Sequence, residues 1–216
     1  KLKITMPGAM TIVDTIADRY YGDKVKMGMA IADLLNQEAR GLEADGVDVI
    51  QFDEPAFNVF LDEVNTWGIE ALERSIAGLK CTTVVHICYG YGIKANIDWK
   101  NSLGEEWRQY EAIFPAIAKS SVKQVSLECF HSKVPPHLMG LLKGKDILVG
   151  VIDVASDEIE TAEQVATTIG EALKYVPKQH LFPCTNCGMA PMERSIAEGK
   201  LKALAAGAAL ARERFK

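Results

Sequence analysis

Short apolar runs alternate with longer amphipathic stretches along this chain, and that alternation limits the possible folds more than any other feature. The apolar runs are Lys3–Met6, Val47–Phe52, Thr82–Ile87, Gln124–Glu128, Ile147–Ile152 and His180–Pro183. All six are short, and four are rich in β-branched residues, as strands buried on both faces of a parallel sheet require. Between them, Asp23–Asp45 places Val25, Met29, Ala32 and Leu35 close to helical spacing. Asn58–Leu79, Glu105–Lys119, Glu160–Tyr175 and Met192–Arg214 read as helices in the same way. The last is rich in the strong helix formers Ala, Leu, Lys and Arg. Regular alternation of strand and helix predicts an α/β fold with a parallel sheet.

Two architectures of that class compete. A doubly wound sheet typically places a glycine-rich phosphate turn after an early strand. Met6-Pro7-Gly8-Ala9-Met10 is not such a turn, and Gly90-Tyr91-Gly92 lacks the third glycine. A (β/α)8 TIM barrel instead sets its chemistry on the C-terminal ends of several strands. Here Asp53, His86, Cys88, Glu128, Asp153 and Cys187 each fall at or just past a strand end, so the barrel is the expected fold. A closed barrel needs eight strands and typically about 250 residues, against six strands in 216 residues. The expectation is a single catalytic barrel domain over 1–216, holding the C-terminal six βα units, with the first two units missing from this chain.

Composition narrows the partners. The net charge is −5 and no long basic block occurs, which argues against nucleic acid and anionic membrane. No run reaches the roughly 18 apolar residues of a membrane span. The opening Lys-Leu-Lys-Ile-Thr-Met has too little apolar length for a signal peptide. Five cysteines, an odd count, fit thiols kept reduced in a cytoplasmic compartment better than a disulfide scaffold.

The strand ends carry the chemistry. Residues i and i+2 of a strand point the same way, so His86 and Cys88 can reach one ion. Glu128 ends the next strand and Cys187 follows the last one. Zinc accepts this mixture of nitrogen, sulfur and oxygen at roughly 2.0–2.3 Å. Taken alone, His86-x-Cys88 fits core packing, and Cys184-Thr-Asn-Cys187 fits a redox pair or half a zinc ribbon. No second Cys-x-x-Cys completes a ribbon, and Cys184 is either a support or a rival for Cys187. Cys81, at the entrance of its strand, and Cys129, facing away from Glu128, read as packed thiols. A free thiol has a pKa near 8.5 and is only slightly ionised at pH 7, whereas zinc deprotonates it. Two cysteinates and a glutamate on Zn²⁺ carry a net charge of about −1, which keeps a bound substrate thiolate nucleophilic. The carboxylate is the hardest ligand of the set and the one expected to loosen when substrate sulfur enters.

Other acids and histidines gather at the same ends. Asp53, in Gln51-Phe52-Asp53-Glu54-Pro55-Ala56, suits a substrate ammonium, with a helix cap or a loop ion pair as the other reading. After the fifth strand, Ser156 or Asp157 reads as the cap of the next helix. His131 and His137 are further titratable groups in the loop after Glu128.

In this order, Asp-Glu-Pro-Ala after a strand, His-x-Cys-Tyr, a strand-end Glu and a late Cys-Gly resemble the C-terminal catalytic domain of cobalamin-independent methionine synthase. The likeness covers essentially the whole chain. It implies a zinc-bearing (β/α)8 barrel that methylates the thiol of L-homocysteine to give methionine. It also implies His86, Cys88, Glu128 and Cys187 as ligands, Cys187 being preferred to Cys184 because Gly188 follows it. Asp53 matches the acid that holds the homocysteine amino group. Three positions depart from the family. Ala155 stands where the family has a proton-donating histidine. Thr11–Thr15 holds no aromatic where the family has a tryptophan beside folate, and Val59 replaces a folate-contacting glutamate. The resemblance therefore implies a short relative whose methyl donor is methyl-folate bound in another way or a methyl-corrinoid, delivered by a partner protein in some relatives. A different thiol such as coenzyme M, or a non-catalytic barrel with structural zinc, are the competing readings.

Overall fold

The computed structural model describes residues 1–90, 94–130 and 132–216. In chain order its elements are β1 (Lys3–Pro7), α1 (Ala9–Thr15), α2 (Lys24–Ala44), β2 (Val49–Asp53), α3 (Leu61–Glu63), α4 (Ile69–Ile76), β3 (Thr82–Ile87), α5 (Lys94–Ser102), α6 (Gln109–Lys119), β4 (Gln124–Leu127), β5 (Asp146–Ile152), α7 (Ala162–Ala172), β6 (Leu181–Thr185) and α8 (Arg194–Arg214). All six expected strands are present, and they form one sheet in the order β1-β2-β3-β4-β5-β6. The fold is α/β with a parallel sheet, as expected.

Burial follows strand order. β2, β3, β4 and β5 are almost wholly buried, whereas β1 and β6, at the two ends of the order, are partly exposed. The expectation of strands buried on both faces therefore holds for the inner four.

One compact unit comprises Lys1–Ile87 and Gln109–Val125. There β1 pairs parallel with β2, and β2 with β3. Its core includes Ile50, Phe52, Phe57, Val84, Val85, Tyr110 and Phe114, each of which contributes about 1.5–3 kcal/mol by leaving water. α2 buries Met27, Ala32 and Ala39, while Val25 of the expected stripe is 42% exposed. Small residues set that face, since a Cβ on Gly28 would meet the Trp67 ring at 2.5 Å. The single helix expected over Asn58–Leu79 is instead a series: a turn at Pro55–Asn58, α3, a wide turn at Val64–Gly68, and α4.

α1 was not expected, and its cause is tertiary. The Glu54 carboxylate accepts from the amides of Met10 (3.1 Å) and Thr11 (2.9 Å) and from the Thr11 hydroxyl (2.7 Å). It thereby satisfies the first turn of a helix that has no local cap. A Cβ on Gly8 would fall on this carboxylate, so only glycine allows the approach.

The second unit comprises Cys88–Arg108 and Ser126–Lys216. β5 pairs parallel with β6, and Val149, Val151, Val165 and Ala166 are fully buried. α7 is capped by Thr161, whose hydroxyl accepts from the Gln164 amide while the Gln164 side chain returns to the Thr161 amide. Thr161, and not Ser156 or Asp157, is therefore the cap. Lys200 of α8 is fully buried and pairs with both Glu160 oxygens at 3.0 and 3.1 Å. Glu160 in turn accepts the Asp153 amide at 2.8 Å. The pair ties α8 to the loop that leaves β5, and loss of either partner alone would strand a buried charge. The helix expected over Glu105–Lys119 starts only at Gln109, because the Trp107 amide is drawn to the Lys133 carbonyl at 2.9 Å. Among the described residues, no helix is long and apolar enough to cross a membrane.

Candidate metal centre

β3 delivers the first two candidate ligands. His86 lies on its final turn of pleat and Cys88 just past its end, and both are 4% exposed. Cys187 lies two residues beyond β6 and is half-buried. One donor atom from each of His86, Cys88 and Cys187 lies within 4.8 Å of the others. The Cys88 and Cys187 sulfurs are 3.9 Å apart. That is far beyond a disulfide bond of about 2.05 Å. It is close to the roughly 3.8 Å between two sulfurs held tetrahedrally at 2.3 Å from one zinc. The neighbouring Cys187 thiol, followed by burial and then by Cys187 and Glu128 charge, holds the Cys88 thiol well above its ordinary pKa. Two thiols this close cannot both ionise on their own, and a divalent cation removes that conflict. The spacing, the burial and the borderline-soft donor set therefore fit zinc.

Glu128 does not belong to the three-residue group. It is 3% exposed, and its Oε2 accepts from the Tyr89 amide at 3.0 Å, one residue past Cys88. Cys184 lies on β6 opposite Gly150, with its sulfur 4.0 Å from the Ser126 hydroxyl, and it is likewise outside the group. Burial pushes the Cys129 thiol well up, with Cys184 and Glu128 adding to it. Burial, then Glu43, push the Cys81 thiol up to about 11. Both are neutral thiols.

Asp53 ends β2 directly opposite His86 in the parallel register. Its Oδ1 accepts from the Gln51 side-chain amide at 2.7 Å, which orients a half-buried carboxylate at the strand end. The turn that follows carries no side-chain cap. Glu54, next in sequence, is 1% exposed. Desolvation raises it to about 7, against the hydrogen bonds from Thr11 and Met10. Thr11, at a position where the resemblance put the folate segment, is thus occupied with Glu54. Asp153 accepts the Ala155 amide at 2.8 Å, which makes a local turn just past β5. His137 is exposed, and His131 lies outside the described residues.

An aromatic group beside the candidate ligands carries no signal in the sequence. The Tyr89 ring stacks on Trp99 at 5.7 Å and packs against Trp107 at 4.7 Å. Lys100 donates to the Gly90 carbonyl at 2.8 Å. The tryptophans stand ten and eighteen residues beyond Tyr89, a spacing that carries no local signal; only the fold brings them to the residue after Cys88.

Two curated proteins similar to this chain share one description. Methionine synthase of Saccharolobus islandicus (strain Y.G.57.14 / Yellowstone #1) is 32% identical over 219 residues, covering all of this chain and 60% of that protein. Methionine synthase of Sulfurisphaera tokodaii is 32% identical over 215 residues, covering all of this chain and 58% of that protein. The chain thus spans about 60% of the length of these curated relatives. The structure of a B12-independent methionine synthase from Shewanella sp. W3-18-1, in complex with selenomethionine, superposes with a TM-score of 0.96 at 58% identity, over 99% of this chain and 62% of that one. A methyltransferase from Methanosarcina mazei, at 17% identity and a TM-score of 0.61, shares the fold. Residues 1–210 match the family described as cobalamin-independent synthase, catalytic domain, and the chain belongs to that family.

Proposed function

We propose that this chain acts as a zinc-dependent methyltransferase that transfers a methyl group to the thiol of L-homocysteine, giving methionine. The observation that carries this reading is the convergence of His86, Cys88 and Cys187 within 4.8 Å. Support comes from the Shewanella relative, which was solved with selenomethionine, the selenium counterpart of the proposed product.

His86, Cys88 and Cys187 would hold the zinc, with Glu128 as the fourth ligand. Bound zinc supplies ionisation of the substrate thiol near neutral pH. Asp53 binds the homocysteine ammonium and fixes the amino acid beside His86, its partner across the register. The thiolate then attacks the methyl carbon in line, and correct approach supplies much of the rate. The sulfur–carbon bond forms as the bond from that carbon to the donor breaks, and the donor leaves with the electron pair. We read residues 1–216 as one catalytic domain working in the cytoplasm. Ala155 offers no proton, and Thr11 and Val59 offer no folate contact of the family type. We therefore read the donor as a methyl-corrinoid rather than methyl-folate.

The test is product formation by zinc-loaded protein with two thiols and two donors. Methionine should form from homocysteine and methylcobalamin at least about tenfold faster than from homocysteine and 5-methyltetrahydrofolate, a difference of about 1.4 kcal/mol. Coenzyme M should stay unmethylated. Methylation of coenzyme M in preference to homocysteine, or of neither thiol, would overturn the reading.

A further inference from the structure

A buried side chain fastens the loop after β6 to the loop after β4. Asn186 is 1% exposed. Its Oδ1 accepts from the amides of Cys129 and Phe130, both at 3.2 Å, and its Nδ2 donates to the Phe130 carbonyl at 2.7 Å. Its own amide donates to the Ile152 carbonyl at the end of β5, at 2.9 Å. The side chain therefore passes over β5 on its way from β6 to β4, and it crosses at Gly150. A Cβ on Gly150 would fall on Asn186 Oδ1 and lie 2.7 Å from the Leu127 carbonyl. The β5–β6 pairing is shifted at this point, between Gly150 and Ile152. Both ends of the crossing adjoin candidate ligands: Asn186 precedes Cys187, and Cys129 follows Glu128.

We infer that Asn186 is a positioning residue of the metal centre, holding the Cys187 loop to the Glu128 strand end through three side-chain hydrogen bonds, with Gly150 keeping its path open. The inference rests on the reading of the site as a zinc centre. A primary amide suits the task because it offers both donor and acceptor without charge. An aspartate would keep both amide bonds but repel the Phe130 carbonyl. An alanine would remove all three of these part-buried side-chain hydrogen bonds.

Zinc affinity of the full chain, measured by competition with a chromophoric chelator, tests this, together with the thiolate-to-metal band of the cobalt(II)-substituted protein. Outer partners of metal ligands are worth about 10–100-fold in affinity. Asn186→Ala and Gly150→Ala should each weaken zinc by about that factor and reduce the thiolate band, with the melting of the zinc-free protein changed far less. Asn186→Asp should fall between these variants and wild type. If Asn186→Ala does not fold, Asn186→Asp decides, and an unaltered affinity and thiolate band overturn the inference. Affinity lost only in step with loss of the zinc-free fold would overturn it too, leaving Asn186 a structural residue. A wild-type chain that binds no zinc would overturn the metal reading and the clamp with it. Wild-type and Asn186→Ala proteins that bind zinc equally would overturn the clamp alone.

Discussion

Replacing Cys187 with serine should remove zinc from the protein and slow homocysteine methylation by about a thousandfold or more, a loss of at least about 4 kcal/mol of transition-state stabilisation. A serine hydroxyl is a harder and far less acidic group than a thiol, and it is a poor partner for zinc beside Cys88. Without the metal the substrate thiol stays largely protonated at pH 7. Cys184→Ser is the matched control. Its sulfur contacts the Ser126 hydroxyl at 4.0 Å and stands outside the group of converging donors. Zinc content and rate should therefore stay within about threefold of wild type, under 1 kcal/mol. Metal analysis and initial rates of methionine formation check both variants. Zinc kept in Cys187→Ser and lost in Cys184→Ser would exchange their roles.

Asp53→Asn should act on binding rather than on the metal. A hydrogen bond to a charged group is worth about 1.5–3 kcal/mol, so KM for homocysteine should rise by about 10–100-fold, with kcat changed much less. Zinc content should be unaffected, because Asp53 pairs with His86 along the backbone and is not in the donor group. 4-Mercaptobutyrate, which lacks the amino group, makes the comparison specific, since it should be methylated equally poorly by both proteins. Saturation kinetics with the two thiols measure this. A variant whose homocysteine KM is unchanged would assign Asp53 to its hydrogen bond with Gln51 on β2 and not to substrate.

Much of this was legible in the sequence, for physical reasons that differ from element to element. The six strands could be read because short β-branched runs that must hide both faces have few alternatives. His86 and Cys88 could be paired because alternation along a strand fixes which side chains share a face. The meeting of Cys88 with Cys187, 99 residues apart, was inferred only through the expected order of strands. α1 was not legible, because the group that caps it is Glu54, 44 residues away. The start of α6 was misplaced because the Lys133 carbonyl takes the Trp107 amide. Glu128 read as a ligand beside the other three, and the bond its Oε2 accepts from the Tyr89 amide is a further contact that strand position alone does not reveal. Asn186 carried no signal, since a buried asparagine before a cysteine looks like any loop residue until Gly150 is seen beneath it.

Zinc K-edge X-ray absorption, recorded before and after addition of L-homocysteine, reaches the central claim most directly. The resting protein should show two sulfurs with nitrogen and oxygen neighbours. Homocysteine should add a third sulfur at about 2.3 Å and remove one oxygen, leaving His86, Cys88 and Cys187 in place. A spectrum that does not change on adding the substrate would contradict the proposal that this metal centre binds and activates its sulfur.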